Sequence, residues 1–494
     1  MTDFSSDSAS IPTSDTWTTQ QVTRLFFLAI TTYFLAQLAL RLILGGALET
    51  DEAEMLLMTP GLRWGYGPQL PLYNWLQTVL FSVFGETLFA LSLLKNLLLW
   101  STYALLFVGL RAFVPARVAA LTALSLFLIP DIAWEAERAT THSNMLLATI
   151  SASIAAFLWA LKTGHLRHWA LFGLALGLGG IAKYNFWAIP VGLVLASLSI
   201  EHVRRSLLSM RALIAPIIAA VVVAGPYVWM FKNPDLALSS VGKMDLSEAA
   251  HSLIPEGVPL YFQGIAALLI LPALVAVILW IASRKRSASV DTRWPAILFL
   301  RAGAILAVIG LATVWLAEVG HITPRWLLPI VLPVVIGLFL HLSPRLSRRA
   351  ALGYLTTLCL FAVLVFVGLT FDRYKDGARR DLDFEPLAQF IEEMNLPEDT
   401  LIVADFYIGG NLAHIRPDWN IRPDLPANAK SEQTKQILLL SRTAGKGSHM
   451  SKLASQVGWP FADHVDYGEE LQITLPFLHG ERTLPVRLLY GTSQ

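Results

Sequence analysis

Cysteine is nearly absent from this 494-residue sequence, and charge is scarce. The one cysteine, Cys359, sits in the apolar run TTLCLFAVLVF. No disulfide can form within the chain, and a small buried hydrophobe is the simplest role for that thiol. Asp, Glu, Lys and Arg make up 15% of the residues, against roughly a quarter in soluble domains. With 37 basic and 36 acidic side chains the net charge is +1, so no basic face dominates and nucleic acid is excluded as a partner. The N-terminus, MTDFSSDSASIPTSDTWTTQ, lacks a basic n-region and an A-x-A site. Residues 1–23 therefore read as a short disordered cytoplasmic tail rather than a cleaved signal. The halves of the chain share no repeat and no matching pair of Gly/Pro-broken helices, which counts against a secondary transporter.

What the sequence has instead is apolar length, with 55% hydrophobic residues. Crossing about 30 Å of hydrocarbon takes roughly 20 residues. Such runs fall at about 24–46, 88–110, 115–130, 144–161, 168–182, 185–200, 211–231, 259–282, 294–317, 325–342 and 350–370. These eleven predict a polytopic α-helical membrane protein. Residues 73–84 are apolar but too short, and read as a helix lying at the interface. With the N-terminus in the cytoplasm, the inside loops carry fourteen Lys and Arg, including Arg284, Lys285, Arg286 and Arg293 in one loop. The outside loops carry six: Arg63, Arg138, Lys183, Lys232, Lys243 and Arg325. That asymmetry orients the chain. The membrane domain spans 24–370, with outer loops at 47–87, 131–143 and 232–258. An odd number of spans puts residues 371–494 outside, in the periplasm of a bacterial host. There a helical stripe (Leu387, Phe390, Ile391, Met394) and the runs TLIVADF, LQITLPFL and VRLLYG predict a small soluble α/β domain.

One stretch departs from the apolar texture: ETDEAEMLLMTPGLRWGYGPQLPLYNWL, residues 49–76. Asp51, Glu52 and Glu54 lie just past the outer end of the first span. Trp64, Tyr66, Tyr73 and Trp75 follow as interface anchors, and Gly65, Gly67, Pro68 and Pro71 force a fixed non-helical path. Such a loop presents carboxylates at a defined depth, where a lipid headgroup lies.

This layout resembles the first-loop signature of the polyprenyl-phosphate-sugar glycosyltransferases of the C-type membrane fold. Protein O-mannosyltransferases, lipid A aminoarabinose transferases and rhizobial lipopolysaccharide galacturonosyltransferases belong to that group. The resemblance rests on the pair Asp51–Glu52, the aromatic/Gly segment from Trp64 to Gln69, and P-L-Y-x-W-L from Pro71 to Leu76. It extends to the span number and the soluble C-terminal domain. Two departures stand out. Relatives often carry an acid and a Lys before the motif proline, where this chain has Gln69 and Leu70. Many have an Asp in the second outer loop, where this chain offers His142 and Asn144.

The resemblance implies sugar transfer at an outer surface. A sugar on a lipid phosphate already has a good leaving group, so such an enzyme needs a base for the acceptor hydroxyl and cations for the departing phosphate. The family's first-loop Asp is cast as that base, which gives the role to Asp51, with Glu52 orienting the acceptor or supporting Asp51. Glu54, Tyr66, Gln69 and Tyr73 are implied to line the substrate site. A divalent metal stays open, because clustered carboxylates suit hard cations. In DIAWEAERATTHSN, Arg138 and His142 either belong to a solvated loop or touch the donor's phosphate or sugar. Lys183, in GGIAKYNFW, either snorkels to the interface or binds phosphate. His321 and Arg325, in EVGHITPRWLLP, resemble an H-x-x-x-R-W motif of relatives, and an Arg there can grip phosphate bidentately. The implied function is inverting transfer of a sugar from a polyprenyl-phosphate donor to an envelope glycolipid, lipid A or lipopolysaccharide core, among membrane lipids. Protein O-mannosylation and transport or flipping of lipid-linked sugars are the alternatives.

Overall fold

The computed structural model describes residues 17–59, 61–239, 255–424, 436–442 and 465–493. Lys243 and most of the third outer loop lie outside these residues, as does most of the N-terminal tail. Helix α1 (Thr19–Leu44) starts inside the predicted tail, where Thr18 and Gln21 form a capping box. The acid cluster forms a separate short helix, α2 (Thr50–Met58), and the interfacial segment becomes α3 (Leu72–Phe84). Then follow α4 (Leu88–Leu110), α5 (Ala116–Leu124), α6 (Ala136–Arg138), α7 (His142–Thr163), α8 (Leu166–Gly180), α9 (Ala188–Leu198), α10 (Glu201–Leu207), α11 (Ile214–Lys232), α12 (Pro234–Ala237), α13 (Gly257–Ser283), α14 (Arg293–Leu316), α15 (Leu328–Leu342) and α16 (Arg348–Tyr374).

All eleven predicted runs are helical, but the span count is lower. Among the described residues eight helices are long and apolar enough to cross a membrane, or nine if one bent pair counts as a span. That pair, Ala116–Leu128 and Asp131–Arg138, turns by 82°. Pro130 explains the break: the residue before a proline is driven out of the helical region, and Ile129 sits extended at ψ 116°. The other two short runs, Leu166–Gly180 and Tyr184–Leu198, have 15 residues each, about 22 Å at 1.5 Å per residue.

The basic loops gather at one end of the bundle. Arg117 donates to Leu346 O at 2.8 Å, Arg211 to Gly164 O at 3.0 Å, and Ser289 N to Pro344 O at 3.0 Å. At the opposite end sit α2, the 131–142 turn, Lys183 and Arg325, beneath the C-terminal domain.

That domain carries α17 (Glu385–Glu393), α18 (Phe406–Ile415) and six strands: β1 (Leu401–Ala404), β2 (Ile421–Pro423), β3 (Gln436–Ser441), β4 (Val465–Tyr467), β5 (Leu471–Pro476) and β6 (Thr483–Ser493). The order is β2-β1-β3-β6-β4, with β5 also on β6. β1 pairs parallel with β2 and β3, and the remaining pairings are antiparallel. The strand predicted in TLIVADF stops at Ala404, because Asp405 caps α18 by accepting from Ile408 N at 3.0 Å. The predicted helical stripe becomes α17, which buries Leu387 and Ile391 in the domain core.

Candidate active site

Four acids open α2, and at about 100° per residue they point in different directions. The structure sorts them into two groups. Glu52 turns inward and is 3% exposed. Arg41 grips it through Nε (3.3 Å) and Nη2 (2.9 Å), Lys95 Nζ lies at 3.4 Å and Arg380 Nη2 at 3.7 Å. Burial alone pushes this carboxyl up, but Arg41, Arg380 and Lys95 outweigh it and hold Glu52 well below the usual carboxylate range. Glu49, also buried, caps α2 in a reciprocal pair with Glu52 and accepts from Arg138 at 3.3 Å.

Asp51 lies on another face. Its side chain is 28% exposed, and Arg325 Nη1 stands 3.6 Å from Oδ2. Asp131 is within electrostatic reach of the same guanidinium. Lys183 donates to Ser143 Oγ at 2.7 Å, and both Asp51 and Glu54 act on its charge. Burial pushes the Lys183 ammonium down to about 8, Arg325 adds to the effect, and the two acids oppose it. Glu54 is buried and accepts from Gln69 Nε2 at 3.1 Å. Asp51, Glu54, Gln69, Lys183 and Arg325 therefore converge from three separate outer segments of the chain.

The other expected site residues engage partners of their own, with Tyr73 still within electrostatic reach of Asp51 and His142 of Lys183. Tyr66 is buried and closes its own loop, donating to Gly61 O at 2.6 Å and accepting from Arg63 N at 3.0 Å. The next residue, Gly67, takes φ +62°, a turn that favours glycine. Tyr73 is buried against the His142 ring, with centroids 5.1 Å apart. His142, in turn, is buried and bonded to Asn74 at 3.1 Å, which joins α7 to α3. Arg138 is held by Glu135 and Glu49. His321 is exposed, edge-on to Trp326. Glu52, placed with Asp51 by the sequence reading, is instead turned away from it by its three cations. Among the described residues, no group of three His, Cys, Asp or Glu side chains is arranged to hold a metal ion.

Sequence reasoning missed Arg41, Lys95, Arg380 and Glu49. Lys95 had a signal, since a lysine inside the apolar run LSLLKNLLLW is costly unless paired. Arg380 had none, because its acidic partners Glu49 and Glu52 are more than 300 residues away in sequence.

Comparison with known proteins agrees with this architecture. Residues 67–229 match the family described as dolichyl-phosphate-mannose-protein mannosyltransferase. The fold aligns with ArnT from Cupriavidus metallidurans: in the apo state at TM-score 0.62 and 14% identity, covering 95% of this chain and 97% of that one. Bound to undecaprenyl phosphate, ArnT aligns at 0.59 and 13% identity, covering 94% and 97%. Two lipopolysaccharide core galacturonosyltransferases of Rhizobium johnstonii are similar in sequence. RgtB is 28% identical over 472 residues, 92% of this chain and 94% of its own. RgtA is 33% identical over 416 residues, 81% of this chain and 82% of its own. The chain thus belongs to the family of these galacturonosyltransferases, membrane glycosyltransferases of the C-type fold.

Proposed function

We propose that this enzyme moves a galacturonosyl residue from a polyprenyl-phosphate donor to the core of lipopolysaccharide, with Asp51 as general base. The carrying observation is the partly exposed Asp51 carboxylate, 3.6 Å from Arg325 and electrostatically coupled to Lys183. Asp51 takes the proton of an acceptor hydroxyl as its oxygen attacks the sugar's anomeric carbon. The bond from that carbon to the phosphate oxygen breaks, and the electron pair leaves with the phosphate. Inversion follows from attack opposite the leaving group. Lys183 and Arg325 hold the departing phosphate in place of the first-loop lysine that Gln69 and Leu70 lack, each aligned contact contributing about 3 kcal/mol to the transition state. Glu54 and Gln69 shape the adjoining wall.

The acceptor and sugar classes follow the two rhizobial relatives, and the lipid class follows the undecaprenyl phosphate bound by ArnT. The basic loops at the opposite end support a periplasmic active face. The family description of residues 67–229 favours a second reading, protein O-mannosylation. Masses of core lipopolysaccharide and of periplasmic proteins from a deletion strain separate the two. The direct test is Asp51→Asn in full-length protein given undecaprenyl-phosphate galacturonate and core lipopolysaccharide. A positioned base contributes about 10²- to 10⁴-fold, so transfer falls by that factor; wild-type turnover refutes the assignment.

A further inference from the structure

We propose that the soluble domain is a positioning element for the reaction: Gly410 and Asn411 on α18, with Arg380, fix α2 so that Asp51 faces Arg325. The inference rests on Asp51 being the base. Ala53 lies two residues beyond Asp51, so at about 100° per residue it occupies nearly the opposite side of α2. On that side α18 packs backbone to backbone. A Cβ on Gly410 would sit 2.3 Å from Ala53 O and 2.6 Å from Ala53 Cα. One side chain also clamps the segment entering α2. Asn411 Oδ1 accepts from Leu48 N at 2.7 Å, and its Nδ2 donates to Leu48 O at 3.1 Å. Arg380 completes the grip: its carbonyl accepts from Ala47 N at 2.9 Å, and its guanidinium reaches Glu52 and the carbonyl of Arg138. A helix of nine residues has little stability of its own, so its orientation comes from these neighbours. Held from behind, α2 can present only the Asp51–Glu54 edge to Arg325 and Lys183.

The two adjacent glycines of α18 supply the test. Gly410→Ala must push the α2 backbone back by about 1 Å to relieve the clash, and a misplacement of that size costs on the order of 10²-fold in rate. Gly409→Ala meets side chains and no backbone: the flexible tip of Leu57 at 3.0 Å, Ile421 at 3.3 Å and Ala404 at 3.4 Å. Both changes add the same methyl group to the same helix. In full-length protein in lipid nanodiscs, kcat for core lipopolysaccharide is expected to drop about 10²-fold in Gly410→Ala and to stay near wild type in Gly409→Ala. The KM for undecaprenyl-phosphate galacturonate and the thermal midpoint should change little in both. Equal kcat values for the two variants, or a loss that tracks the thermal midpoint, overturn the proposal. Should Gly410→Ala not accumulate, Asn411→Ala decides, since it removes the Leu48 clamp without adding volume. The proposal requires a kcat loss of at least about tenfold there at unchanged donor KM, and wild-type kcat overturns it. Asp51→Asn, run in parallel, separates the two levels. If it is inactive while Gly410→Ala is fully active, only the clamp fails. If it is active, the reading of the base itself fails.

Discussion

Lys183 gives the site a measurable pH dependence. Burial, and then Arg325, bring its ammonium down to about 8 against an ordinary value near 10.4. Its folded-state value is therefore lowered, so the proton is bound below pH 8 and lost above it. If Lys183 holds the donor phosphate in its charged form, capture of donor weakens as pH rises through 8. The profile of kcat/KM reports the free enzyme, so this parameter should fall about tenfold for each unit above pH 8. The profile of kcat reports the bound complex. There the single negative charge of the donor's phosphodiester stabilises the ammonium, and the falling limb should move to higher pH. Replacement by arginine, which stays protonated throughout, should remove the limb from kcat/KM even where it lowers the rate overall. Stability runs the opposite way: the charged form is the disfavoured one, so donor-free protein should gain rather than lose thermal stability as pH rises from about 8 to about 10. The assay is initial-rate transfer to core lipopolysaccharide at varied donor concentration across roughly pH 6.5 to 9.5, about 1.5 units either side of that value. A flat kcat/KM in the wild type, or an identical limb in Lys183→Arg, refutes the phosphate role.

Glu52→Gln should behave as a folding mutation rather than a catalytic one. It leaves Arg41, Lys95 and Arg380 buried without their shared anion, and breaking a buried pair this way costs about 3–5 kcal/mol. A lowered thermal midpoint in detergent is expected, partly restored by adding Lys95→Met; an unchanged midpoint contradicts the account. For topology, a periplasm-active reporter fused after Phe371 should be active and one fused after Arg286 inactive. The reverse pattern would overturn the orientation.

The sequence and the structure agree where the information is local. Apolar length marked all eleven helices, and the Lys/Arg asymmetry marked the two ends, because both depend only on neighbours along the chain. The count of long apolar helices falls below eleven because three runs are short: Ala116–Leu128 stops where the chain turns by 82° at Pro130, and Leu166–Gly180 and Tyr184–Leu198 have 15 residues each.

Distinguishing Asp51 from Glu52 is a different kind of problem. Adjacent acids differ by about 100° on a helix, and nothing between residues 49 and 58 says which direction is the back. The back is defined by partners far away in the chain. Asn411 bonds Leu48 across 363 residues, and Gly410 touches the backbone of Ala53. Arg380 reaches Glu52 from beyond the last membrane helix. The motif could therefore locate the acid cluster but not divide it into a buried hub and an exposed carboxylate. His142 shows the same limit, because only the packed structure turns it toward Asn74 and Tyr73. A polar residue at the start of an apolar span serves either to bind substrate or to tie helices together. The deciding fact is which neighbour takes its hydrogen bond, and for His142 that neighbour is Asn74 on α3.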